Sequence, residues 1–286
     1  MIWPQIVHTW MYGGMQLERI AQSLAASGAD GADLSIDLRG EKSPQGLLRQ
    51  NIRGIFALEG LQVYAASALC SDHDIDPSSN NSEVREKALT FLLRALDVTA
   101  HAGCDRMLVS PSWVSVSHQF HTSRDEDAKR AADTIAQAAT YAATLGITVM
   151  IEPINRYRVA LVHTVAEALA MRDAIGLPNV AIVPDTYHMQ VEELCSLPEA
   201  LRSAGEHLAC LHIGDSGRSV PGMGQVDWVE ILACLDEIGF TGPLSYEPIE
   251  LYFDASKVSS DRDYAEAFER RIASGVSYLR GLMSPV

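Results

Sequence analysis

A rhythm constrains this chain more than any single motif. Eight short apolar runs of strand type lie at 4–10, 32–37, 61–69, 105–112, 146–154, 179–185, 207–213 and 243–249. Amphipathic stretches fill the intervals at 16–27, 44–59, 81–102, 125–144, 164–175, 197–205, 227–238 and 261–282. Within 227–238, Val229, Leu232, Ala233, Leu235 and Ile238 recur at the spacing of one helix face. Asp227 stands where a cap would accept the first free amides. Gly28, Gly60, Gly103, Gly146, Gly176 and Gly239 follow expected helix ends, as left-handed stops do. Strands that alternate with helices pair in parallel. Eight repeats with a period of about 36 residues fit a (β/α)₈ TIM barrel, read as a single α/β domain over residues 1–286. A doubly wound open sheet is the alternative. It lacks support because only Gly13-Gly14, and no Gly-x-Gly-x-x-Gly, follows the first run.

Composition removes several function classes. There are 22 basic and 37 acidic residues, a formal charge of −15, so a phosphate backbone would be repelled. No apolar stretch approaches the roughly 18 residues of a membrane span. The opening MIWPQIVHTW has no basic leader region. The five cysteines (70, 104, 195, 210 and 234) form no C-x-x-C pair. Most read as small buried hydrophobes, which fits a reducing compartment. The expectation is a soluble cytoplasmic protein with neither nucleic-acid nor membrane partners.

A barrel places its chemistry at the C-terminal strand ends. Glu152 closes the fifth run (MIEPIN), and Asp185 closes the sixth with His188 three residues on (VPDTYHM). His212 closes the seventh (CLHIGD) and Glu247 the eighth (SYEPI). The spacings of 33, 27 and 35 residues put the four on neighbouring strands at one rim. A lone carboxylate after a strand is more often a helix cap or a rim salt bridge. Four in equivalent positions call for another account. Three crowded carboxylates repel one another, and a divalent cation relieves that repulsion. Three oxygens and one imidazole nitrogen suit Mn²⁺ first, with Mg²⁺ or Co²⁺ as alternatives.

The series E-P-x-N-R-Y, D-T-Y-H-M, H-I-G-D…R…P-G-x-G…D-W and Y-E-P-I resembles the xylose isomerase-like barrel family. Within that family it is most similar to ketose 3-epimerases of the D-tagatose/D-psicose type. The resemblance is specific over about residues 146–250. It implies a cation held by Glu152, Asp185, His212 and Glu247, with His188 and Arg218 on substrate oxygens near the carbonyl. It also implies that Glu152 and Glu247 move the C3 proton through a cis-enediolate, and that the enzyme is a homo-oligomer, dimer or tetramer. His8, Trp10 and Tyr12 after the first run, and Trp113 after the fourth, are expected as pocket walls for a sugar. Asp37 either bonds a polar substrate or caps a helix. His73, His101, His118, His121 and His163 are expected to stay off the metal.

One position departs from the resemblance. Those epimerases tend to carry a glutamate where this chain has Arg158. A guanidinium only donates, and it favours a carboxylate or phosphate. If Arg158 faces the pocket, the substrate would be an acidic or phosphorylated keto-sugar. The same site would then also serve an aldose–ketose isomerase, a keto-inositol dehydratase or a 3-oxo sugar acid decarboxylase. A DNA-repair branch of the fold needs a multi-zinc cluster at strands one to three. Asp33, Ala68 or Leu69, and Ser110 stand there instead.

Overall fold

Parallel strands succeed one another along the chain: β1 (Gln5–His8), β2 (Gly31–Ser35), β3 (Gln62–Ala68), β4 (Arg106–Val109), β5 (Thr148–Ile151), β6 (Val180–Ile182), β7 (Leu211–Ile213) and β8 (Leu244–Tyr246). They come from a computed structural model that describes residues 2–114, 120–249 and 253–284. The sheet order is β6-β5-β4-β3-β2-β1-β8-β7. Its two edges meet through the isolated bridges Ile182↔Leu208 and Asp185↔His212. There the Ala209 amide donates to Ile182 O at 3.1 Å and the His212 amide to Pro184 O at 2.9 Å. The sheet therefore closes on itself as a (β/α)₈ TIM barrel.

The barrel interior is layered by the two-residue period of the strands. Ile6, Ala65, Leu108, Met150, Val183 and Cys210 form a buried apolar plug. Two residues further along each strand stand His8, Ser67, Ser110, Glu152, Asp185 and His212, all buried as well. The polar rim is thus the next inward layer above an apolar one. Outside the sheet, Leu24, Leu92, Ile135, Ala168 and Leu235 belong to the larger core that the helices cover.

The helices are α1 (Leu17–Ser27), α2 (Pro44–Leu47), α3 (Ile52–Leu58), α4 (Ser82–Ala102), α5 (Arg124–Thr144), α6 (Val165–Ile175), α7 (Thr186–Glu192), α8 (Leu197–Ala204), α9 (Trp228–Glu237), α10 (Ala255–Ser260) and α11 (Arg262–Met283). The six expected stop glycines all have positive φ, and Asp227 Oδ1 accepts from the Glu230 amide as a cap. The stretch expected as one helix over 44–59 is two. Ser43 caps the first, and Asn51 caps a second by accepting from the Gly54 amide. A second capping residue inside a periodic stretch restarts the helix. The short helices α7 and α10 lie outside the expected set. No helix among the described residues is long and apolar enough to cross a membrane.

Candidate active site

Four strand ends converge as their spacing predicts. Glu152, Asp185, His212 and Glu247 are each at most 6 % exposed. His212 Nδ1 lies 3.1 Å from Glu152 Oε1 and 4.0 Å from Glu247 Oε2. Donor atoms of Glu152, His212 and Glu247 fall within 4.8 Å of one another, as do those of Glu152, Asp185 and His188. Asp185 caps α7 by accepting from the Tyr187 amide through Oδ1. Its other oxygen, Oδ2, is buried and accepts no hydrogen bond among the described residues. One guanidinium, Arg218, lies among these carboxylates. It is hydrogen-bonded to Glu247 and 3.6 Å from Asp185 Oδ2. Three carboxylates thus crowd around one guanidinium and one imidazole, and an orphan oxygen points into the cluster. The donor set fits a divalent cation.

The electrostatics follow from this crowding. Burial drives the Asp185 carboxyl up to about 7, beyond what Arg218 recovers. Burial also raises Glu152, with His212 opposing. Glu247 goes the other way: burial is outweighed by Arg218, His8 and His212, which hold it well below the carboxylate range. His212 resists burial because Glu152 and Asp33 flank it, and stands well above the usual imidazole value. Burial and the neighbouring Arg218 push His188 down to about 3, so its ring is neutral.

Arg218 is presented by the loop after β7, and Asp215 organises that loop. Asp215 is fully buried. Its oxygens accept from the amides of Ser216, Gly222 and Val226 and from Trp228 Nε1. A Cβ on Gly224 would sit 2.2 Å from Asp215 Oδ1, which is why this hub needs glycine there. Arg218 itself has φ +58, an uncommon conformation for a side-chain-bearing residue, and strain of that kind costs on the order of 1–3 kcal/mol. Its guanidinium also stacks 5.0 Å from the Tyr187 ring centre.

His188 is oriented from behind. Asn155 Oδ1 accepts from the Tyr157 amide, which turns its Nδ2 toward His188 Nδ1 at 2.8 Å. His188 Nε2 then carries the ring proton into the site. Arg156 clamps the same loop to Glu192 of α7 through paired hydrogen bonds.

Glu152, His188, Arg218 and Glu247 line one cavity of about 560 Å³, together with His8, Trp10, Asp37, Leu69, Val114, Phe253 and Asp254. Trp10 is more than a wall, since its Nε1 donates to Glu247 Oε1 at 2.6 Å. Arg158 lines the mouth, exposed, and makes no side-chain ion pair among the described residues. Two expected wall residues sit elsewhere. The Trp113 amide donates to Asp76 and its ring packs on His73 at 6.1 Å, so Val114 takes the lining position. Tyr12 is buried against Phe268 in the core. His101 and His163 contact backbone carbonyls, and His121 pairs with Asp76. His118 lies outside the described residues. Asp72, His73 and Asp74 also bring three donors together, but on a surface loop.

The chain is similar to known proteins in sequence and fold. A profile of the xylose isomerase-like TIM barrel family matches residues 12–271. The chain belongs to that family. A D-psicose 3-epimerase of Agrobacterium fabrum is 31% identical over 216 residues, 69% of this chain and 74% of the relative. A ketose 3-epimerase of Arthrobacter globiformis is 33% identical over 213 residues, 74% of this chain and 71% of the relative. The crystal structure of D-psicose 3-epimerase with D-tagatose from Clostridium cellulolyticum H10 superposes with a TM-score of 0.85 at 20% identity, covering 99% of this chain and 100% of that one. These family members are epimerases, so they lend no support to the dehydratase and decarboxylase alternatives.

Several site residues escaped the sequence reading. Asn155 and Asp215 sit inside the quoted motifs, yet nothing local reveals what they hold. Asp33, Tyr187 and Glu192 act across strands, and only the closed barrel brings them to the site.

Proposed function

We propose that this enzyme is a ketose 3-epimerase working with a bound divalent cation, Mn²⁺ ahead of Mg²⁺ or Co²⁺. The observation that carries the reading is the pair of buried glutamates from β5 and β8 on either side of His212 Nδ1, with the orphan Asp185 Oδ2 beside them. The ligands would be Glu152, Asp185, His212 and Glu247. A bound cation supplies a Lewis acid for the carbonyl of the keto-sugar. Glu152 and Glu247 take the C3 proton from one face and return it to the other. Arg218 and His188 Nε2–H donate to the oxygen on which charge accumulates. Trp10 holds the Glu247 carboxylate in place, and Phe253, Leu69 and Val114 keep water from the enediolate.

The test is solvent exchange. In D₂O with Mn²⁺, NMR should show deuterium entering C3 of a ketose as its epimer forms. A cation-loaded enzyme that leaves C3–H intact across neutral and anionic ketoses would overturn the proposal.

Arg158 supports a second reading of the substrate, as a keto-sugar bearing a carboxylate or phosphate. Its guanidinium lies at the cavity mouth without an ion pair among the described residues, where an anion would be held bidentately. Arg158→Ala should then raise KM about 10-fold or more for the anionic ketose and leave a neutral one nearly unchanged, since a charge-assisted bond contributes roughly 1.5–3 kcal/mol. Equal KM changes for both would sink this reading.

The same proposal takes residues 1–286 as one domain of a cytoplasmic homo-oligomer, dimer or tetramer. Exposed Val229, Tyr278 and Leu282 on α9 and α11 support a subunit contact. Unpaired cysteines, four of them buried, support a reducing compartment. A monomeric mass by light scattering would count against the oligomer.

A further inference from the structure

Asp33 is a fully buried carboxylate on β2, inside the barrel. The β2–β3 register slips there, with Ala32 opposite Val63 and Asp33 opposite Ala65. Leaving an unpaired carboxylate in a low-dielectric interior is costly, and this one is satisfied by groups from four other strands. Ser67 Oγ of β3 donates to Oδ1 at 2.7 Å and Ser245 Oγ of β8 donates to Oδ2 at 3.2 Å. His212 Nε2 of β7 lies 3.2 Å from Oδ2, and His8 Nε2 of β1 lies 4.0 Å from Oδ1. The Trp10 amide donates to His8 Nδ1, which leaves the His8 ring proton on the Asp33 side.

His212 is consequently held at both nitrogens, Nε2 by Asp33 and Nδ1 facing Glu152 at 3.1 Å. A carboxylate can only accept, so both ring nitrogens of His212 face an acceptor. A neutral imidazole has one N–H. A cation bound between Glu152 and Glu247 would take the lone pair of Nδ1 and leave that one hydrogen on Nε2, where Asp33 accepts it.

We infer that Asp33 is a positioning residue of the cation site: it fixes the tautomer and ring plane of His212, so that Nδ1 offers its lone pair toward Glu152 and Glu247. The inference rests on the proposed cation site. Asp33 touches neither cation nor substrate and acts only through His212. Ser67 and Ser245 keep its carboxylate from rotating away. Hydrogen-bond partners of this kind contribute about 10–100-fold to metal affinity.

The experiment has two readouts. Mn²⁺ is titrated into the metal-free protein, and free Mn²⁺ is followed by electron paramagnetic resonance. Asp33→Asn and Asp33→Ala should each weaken the dissociation constant by about 10–100-fold while the far-ultraviolet circular dichroism stays unchanged. Unchanged affinity in either folded variant overturns the inference. Failure of the unmutated protein to bind Mn²⁺ overturns the underlying site instead, which separates the two failures. The second readout needs no variant. In the Mg²⁺-loaded protein, long-range ¹H–¹⁵N correlation should show the His212 proton on Nε2. A proton on Nδ1 overturns the inference even if the Asp33 variants do not fold.

Discussion

The two halves of the barrel end in different chemistry. β5 to β8 finish on Glu152, Asp185, His212 and Glu247, a rim of ionisable donors. β1 to β4 finish on His8, Ser35, Ser67 and Ser110, a rim of hydroxyls and one imidazole. Six of these eight rim residues stand above the apolar layer, while Asp33 of β2 and Ser245 of β8 lie beneath Ser35 and Glu247. The difference teaches how labour divides on a symmetric frame. One half concentrates charge to the point where a cation is needed. The other half shapes the cavity wall, with Trp10, Leu69 and Val114, and reaches the charged half through single hydrogen bonds.

That division can be broken from its strong side first. Glu152→Gln removes the proposed acid/base group and the proposed cation donor together. It should lower kcat by about 10³-fold, within the 10²–10⁴ range for such a group. Steady-state kinetics on the folded variant measures this, and full turnover would move the chemistry out of the β5–β8 half. Next, Arg218→Met removes the guanidinium beside Glu247 and Asp185. A loss of about 10²–10³ in kcat is expected for one donor aimed at developing charge, with a smaller effect on KM.

Asp215→Ala leaves three amides and an indole N–H without their acceptor. A loss of about 2–3 kcal/mol of stability is expected, or roughly a 4–12 °C fall in Tm by calorimetry. The pH dependence has a definite sign. Burial would raise Asp215, but its four hydrogen bonds, Trp228 foremost, hold it below its ordinary value. Its stabilisation is therefore complete above the unfolded carboxylate value of about 3.9. It is lost as pH falls through the lower native value, and the Tm gap between the two proteins should close only in strong acid. A gap constant down to that range would show that charge is not what Asp215 contributes. Smallest is Ser67→Ala, on the quiet half. Asp33 keeps its other donors, so Mn²⁺ affinity should weaken about 5-fold, one hydrogen bond's worth of roughly 1 kcal/mol.

Periodicity made the strong half legible. A carboxylate or histidine at the end of each run is visible because strand ends recur every βα unit, and the barrel aligns them. The stop glycines were legible for a similar reason: a left-handed residue after a helix leaves a local signature. What stayed hidden depends on contacts between distant strands. Asp33 is a single acid in an apolar run, and its partner lies 179 positions away. Trp113 illustrates the limit from the other side. Its place after β4 fits a wall residue, but the amide bond to Asp76 fixes where the backbone turns, and Val114 faces the cavity instead. The division of 44–59 into two helices was written in Ser43 and Asn51, whose capping role competes with an unbroken apolar period.

The seam between β6 and β7 carries a consequence of its own. Every other neighbouring pair in the barrel is laddered, whereas this joint is made by two isolated bridges, one of which sets Asp185 opposite His212. Two proposed ligands therefore face each other across the most sparsely stitched line of the sheet. An ion seated there would act as a clasp, and fastening it would be part of closing the cylinder. Its binding energy would then be shared with the whole fold. Stripping the ion should loosen the molecule first along this line, and amides on β6 and β7 would exchange with solvent before those of the opposite wall.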